Sequence, residues 1–118
     1  MPRYALLRHT GAPDDPTGCH IDLLLEDGES CRTWRLATVP QLNEAAQPAV
    51  PLPPHRLIWL GPRSAAVSGN RGWAERIHAG NYCGVLPNAR DADVSLQLAG
   101  DLQGCLRIAG GHCSLSNP

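Results

Sequence analysis

The chain contains no lysine and no phenylalanine, and a single methionine. Without an amine side chain, Schiff bases, lysyl adducts and a Walker-type phosphate lysine are excluded. All ten basic residues are arginines, never two in succession, and eleven acids bring the net charge to −1. A protein that grips many phosphates of a duplex carries a basic stripe, and none is present. Nucleic acid therefore enters only as a locally held substrate, such as a strand end. Long apolar runs are missing too: nothing approaches the ~18 residues of a membrane helix, and Met1-Pro2-Arg3-Tyr4 opens no signal-peptide core. The expectation is a cytoplasmic protein with no membrane partner. Cys19, Cys31, Cys83, Cys105 and Cys113 are odd in number and form no Cys-x-x-Cys pair. That pattern predicts free, mostly buried thiols rather than a disulfide framework or a zinc cluster.

What is present suits one folded domain spanning residues 1–118, since domains of about 100–150 residues are the commonest. Hydrophobic residues make up 42% and charged residues 18%, a balance that argues against disorder. Twelve glycines and eleven prolines leave little room for long helices. Strands are expected at residues 3–9, 19–26, 31–37, 55–60, 65–68, 72–78, 82–85, 94–98 and 104–108. The turn-rich stretch 10–18 separates the first two, and Asp27-Gly28 marks a hairpin. The proline-rich stretch 38–54 reads as an irregular excursion with one helical turn at 41–46. Short strands with Gly, Asp and Asn turns indicate an all-β, mainly antiparallel fold: a small closed or partly open barrel with long loops.

The clearest period lies in the second strand. Ile21, Leu23 and Leu25 point to one face, and His20, Asp22, Leu24 and Glu26 to the other. Residues i and i+2 of a strand stand about 7 Å apart on one side, so His20 and Asp22 can converge on one ion. If the first two strands pair, His9 lies beside them. Two imidazoles and a carboxylate suit a divalent transition metal with open positions for substrate. His55 follows a proline-fixed loop and could donate to a phosphoryl oxygen or protonate a leaving group. Glu26 could orient a metal-bound water or a ligand histidine. His78 and His112 read as surface residues, although His112 with His20-x-Asp22 would also make an iron-oxygenase triad.

Arg8-His9, then His20-x-Asp22-x-Leu24-x-Glu26, Thr33-Trp34, and His55 with an aromatic four residues later resemble the 3′-phosphoesterase domain of bacterial DNA ligase D. The stretch from Gly72-Trp73 to Gly80-Asn81-Tyr82 is similar to that family's Gly-x-Val-x-x-Trp-Asp-x-Gly-x-Trp segment. Gly104-Cys105-Leu106-Arg107-Ile108 resembles its closing strand. The likeness runs in order over residues 4–108. It implies a compact β-barrel holding a divalent metal, typically Mn²⁺ with Zn²⁺ the alternative, on His9, His20 and Asp22. It also implies His55 on the scissile phosphate, Glu26 as a supporting acid, and Trp59 in place of a phosphate-binding tyrosine. The activity implied is removal of a 3′-terminal ribonucleotide or 3′ phosphate in DNA end repair, or hydrolysis of a related phosphoester. The rival reading is a non-catalytic barrel that binds a nucleic-acid end or a DNA-repair partner. The chain departs from the family pattern at Leu24 (arginine in the family), Leu7 (glutamine), Trp59 (tyrosine) and Thr38 (lysine).

Overall fold

A computed structural model describes residues 1–118. Ten strands form one antiparallel sheet: β1 Arg3–Thr10, β2 Cys19–Asp27, β3 Ser30–Leu36, β4 Gln47–Pro48, β5 Val50–Arg56, β6 Ser64–Ala66, β7 Trp73–Cys83, β8 Val94–Gly100, β9 Gly104–Ala109 and β10 His112–Ser116. The hydrogen-bonded order is β4-β10-β9-β8-β7-β1-β2-β3-β5, with β6 added to β7. One short 3₁₀ turn, Leu57–Leu60, is the helical element. No helix is long and apolar enough to cross a membrane. The two ends of the hydrogen-bonded path, β4 and β5, are separated by Ala49 alone, which is buried and donates its N–H to the Gly111 carbonyl at 2.8 Å. One stretch of chain thus borders β10 with its first residues and β3 with the rest.

Alternation along the strands builds two buried layers. On one side, sixteen residues pack together, among them Tyr4, Leu6, Ile21, Leu23, Leu25, Trp34, Leu96, Leu106 and Leu115. On the other side of β1 and β2, a smaller cluster joins Ala5, Leu7, Leu24, Cys31 and Ala74 to Trp59 and Leu60 of the 3₁₀ turn. The middle of β1 and β2 is therefore buried on both faces. Burying a leucine of this kind is worth roughly 1.5–3 kcal/mol, so the 3₁₀ turn acts as a lid that removes the second face from water.

Several expected boundaries move. The expected strand 55–60 begins instead at Val50 and ends at Arg56, where the chain enters the 3₁₀ turn. Its prolines at 51, 53 and 54 are tolerated because β5 pairs on one side only, with β3. No helical turn forms at 41–46; Leu42 makes a parallel bridge to Leu115 instead. The segments 72–78 and 82–85 form one strand, β7, that runs through Gly80. Glycine is needed there because a Cβ would run into the Ala99 carbonyl and the Tyr4 ring. β10 follows Gly110-Gly111, both at positive φ, a hairpin pair that fixes Cys113 and Leu115 in the larger core. All five cysteines are free, but only Cys31 and Cys113 are buried; Cys19 and Cys83 are exposed and Cys105 is intermediate.

Candidate metal centre

Pairing of β1 with β2 sets His9 opposite His20 and Leu7 opposite Asp22. Directly opposed residues of an antiparallel pair share a face, so His9, His20 and Asp22 meet at the end of the smaller cluster. All three are buried, and one donor atom from each lies within 4.8 Å of the others. The His9 and His20 rings are tilted by 57° with centroids 4.7 Å apart. His55 reaches the same group from β5, its Nε2 3.7 Å from Asp22 Oδ2. At 24% side-chain exposure it is the most open member of the set.

The outer nitrogen of each imidazole is held by an oxygen. His9 Nε2 lies 2.6 Å from the Arg71 carbonyl, and His55 Nδ1 lies 3.2 Å from the Pro53 carbonyl. A carbonyl only accepts, so both nitrogens carry the proton. His20 Nδ1 donates to Asp15 Oδ2 at 2.8 Å. The Asp15 carboxyl is held down at about 2, first by the Thr17 hydroxyl and then by His20. In each neutral ring the remaining nitrogen is then a bare lone pair. These three atoms, His9 Nδ1, His20 Nε2 and His55 Nε2, face Asp22 oxygens at 3.1, 3.0 and 3.7 Å.

Lone pairs facing a carboxylate repel unless positive charge sits among them. His20 Nε2 and Asp22 Oδ1 are both buried and have no hydrogen-bond partner, although they stand only 3.0 Å apart. Two acceptors at that separation are what a shared cation requires. For metal bonds of about 2.1 Å, neighbouring ligand atoms lie roughly 3.0–3.4 Å apart, the range of the His9 and His20 approaches. Burial is the largest influence on Asp22 and pushes its carboxyl up. Positive charge on the facing rings of His55, His20 and His9 outweighs it and holds the group below its ordinary 3.8, so protons on those rings and a cation between them are alternative ways to relieve the same repulsion. The donor set of imidazole nitrogen and carboxylate oxygen fits a divalent transition metal, and the outer oxygens supply the usual second layer of support.

The remaining sequence candidates lie elsewhere. Glu26 is four residues beyond Asp22 and is gripped by Arg3, which donates from its backbone N–H at 2.8 Å and from its guanidinium at 3.1 and 2.9 Å. It is a strand-end clasp, not a member of the centre. Trp59 belongs to the smaller cluster, with the Arg63 guanidinium 4.7 Å over its ring. Leu24 shares the face of His20 and Asp22 as expected, but it is fully buried with Leu7 in that cluster. His112 is exposed, with Nδ1 on the Gly110 carbonyl, so the histidine that completes the group is His9. Sequence reasoning missed Asp15, whose signal is the Asp15-Pro16-Thr17 turn: Thr17 donates its N–H and hydroxyl to Asp15 Oδ1 at 3.0 and 2.6 Å, aiming Oδ2 at His20. The Arg71 and Pro53 carbonyls carry no sequence signal. No protein-family model matches the chain, and no curated protein matches its sequence.

Proposed function

We propose that the protein is a divalent-metal-dependent phosphoesterase acting on a nucleic-acid 3′ end or a related phosphoester, with the ion, Mn²⁺ or Zn²⁺, held by His9, His20 and Asp22. The observation that carries the reading is the convergence of three imidazole nitrogens on one buried carboxylate, with His20 Nε2 and Asp22 Oδ1 standing 3.0 Å apart and neither having a hydrogen-bond partner. A divalent ion in this set supplies Lewis acidity toward a phosphoryl oxygen and lowers the pKa of a bound water. The chain's own residues do the rest. Asp15 and the Arg71 carbonyl fix the tautomers and orientations of His20 and His9. His55, held through Nδ1 by the Pro53 carbonyl, is the ring a substrate reaches first, and its bare Nε2 is placed to take a proton from an attacking water. The ordered resemblance to the DNA ligase D phosphoesterase domain supports the substrate class. In this reading the sheet is barrel-like, with the stretch 47–56 joining its two ends.

With Mn²⁺ the purified protein releases phosphate from a DNA strand bearing a 3′ phosphate, and EDTA stops the release. His20→Ala abolishes turnover while the protein still unfolds cooperatively. A specific observation favours a second reading, a non-catalytic module for a nucleic-acid end or a repair partner: Leu7 and Leu24, where the family carries polar residues, are packed into the smaller cluster. Saturable binding of a 3′ end without any metal-dependent turnover selects that reading.

A further inference from the structure

We propose that Arg35 receives the phosphoryl oxygens of an anionic substrate at the His/Asp centre, exchanging the Asp14 carboxylate for them. The inference rests on the phosphoester reading above and names a residue that reading leaves open. Arg35 on β3 is the direct cross-strand partner of Asp22 on β2. It therefore leaves the sheet on the same face, next to the donor set. Leu24 and Leu7, on the strands that carry the centre, offer no charge to an anion.

The state of the guanidinium points to an unfilled role. Arginine presents five donors in a planar fork that matches two oxygens of a carboxylate or phosphate. Arg35 uses one nitrogen only: Nη2 contacts Asp14 Oδ1 and Oδ2 at 3.3 and 3.2 Å. Its Nε is buried and has no partner. Two long contacts from one nitrogen leave the fork unmatched, and Asp14 is 72% exposed. An exposed pair of that kind contributes little stability and exchanges readily. Asp14 stands beside Asp15, which is fixed on His20, so the carboxylate that occupies Arg35 does so at the edge of the centre. An incoming phosphate can engage Nε and Nη2 together and is favoured over one carboxylate held by a single nitrogen. Arg63 also has a buried Nε without a partner, but it is committed to the face of Trp59.

The test is ³¹P relaxation of inorganic phosphate in the presence of protein and Mn²⁺, since the paramagnetic ion broadens only phosphate bound close to it, with Mn²⁺ affinity measured separately by calorimetry. Wild type broadens the signal saturably. Arg35→Ala weakens phosphate binding about ten- to a hundredfold while holding Mn²⁺ as wild type does. Arg35→Lys, which keeps the charge without the fork, falls between, and Asp14→Asn binds phosphate more tightly. Unchanged phosphate binding in Arg35→Ala overturns the proposal and leaves the phosphoester reading standing. Parallel loss of Mn²⁺ and phosphate in Arg35→Ala also overturns it, because Arg35 would then only pin the loop over the centre. Mn²⁺ binding by wild type with no broadening of phosphate sinks both the proposal and the phosphoester reading.

Discussion

A histidine can hold a metal only if one ring nitrogen is bare and the other is kept protonated and still. Asp15 does this for His20, and the effect is measurable. Asp15→Asn leaves a hydrogen-bond acceptor but removes the charge, and is expected to weaken Mn²⁺ or Zn²⁺ binding about ten- to a hundredfold; His112→Ala, on the far strand β10, changes nothing. Equal affinities in wild type and Asp15→Asn by calorimetric titration would contradict the role. Leu24→Arg, which introduces the arginine that the resembled phosphoesterase pattern carries there, is expected to destabilise rather than activate. Leu24 has 0% exposure beneath Trp59 and Leu60, and a buried unpaired guanidinium costs several kcal/mol. A urea midpoint equal to that of wild type refutes this. At this scale His9, His20 and Asp22 were legible in the sequence because strand alternation and pairing alone bring them together. His55 was suggested by its proline-fixed approach and by the resemblance. Asp15 and Arg35 were not legible: one depends on how the loop folds back, the other on the register of β3.

Among the elements, β2 and β3 followed directly from their period and from the Asp27-Gly28 turn, whereas β5 and β10 did not. Three prolines in seven residues read as irregular chain, yet an edge strand with one partner loses little by lacking some N–H groups. They also leave its open edge poor in donors for a second sheet. β10 lies beyond the last expected strand, 104–108, and is set by Gly110-Gly111, both of which adopt the positive φ of a tight hairpin. Gly80 reads in the sequence as a break between two strands, whereas in the fold it marks a close approach between β7, β8 and Tyr4. Gly80→Ala is expected to cost at least ~1–3 kcal/mol, because the clash is with backbone and cannot be relieved by a rotamer change. Chemical denaturation checks this, and a loss below half a kcal/mol would show that β7 and β8 can separate there.

For the molecule as a whole, burial of two thiols ties stability to alkaline pH. Burial pushes the Cys31 thiol up to about 11 and the Cys113 thiol up to about 12, from an ordinary value of 9.0. The folded state keeps these protons while the unfolded state loses them, so stability is intact below pH 9 and falls as pH rises toward 11–12, by up to ~1.4 kcal/mol per pH unit and thiol. Urea midpoints at pH 8 and pH 10.5 should show the drop, and Cys113→Val should reduce it. In native protein an alkylating reagent modifies Cys19 and Cys83 at once and reaches Cys31 and Cys113 only after unfolding. The all-β class was legible from turn spacing and strand alternation. The second buried layer was not, because it depends on where the 3₁₀ turn folds. That turn seals Leu7 and Leu24 with Trp59 and Leu60, and leaves the buried His/Asp group at the margin of the smaller cluster.

The central claim is that His9, His20 and Asp22, with His55 beside them, form one divalent-cation site. Calorimetric titration of Mn²⁺ into metal-free wild type and His20→Ala tests it most directly. The account predicts a single saturable event of one ion per chain in wild type, lost in His20→Ala. At a hundredfold excess over Kd the same binding raises wild-type stability by about 2.7 kcal/mol. No saturable binding by wild type, or equal binding by the two proteins, would contradict it.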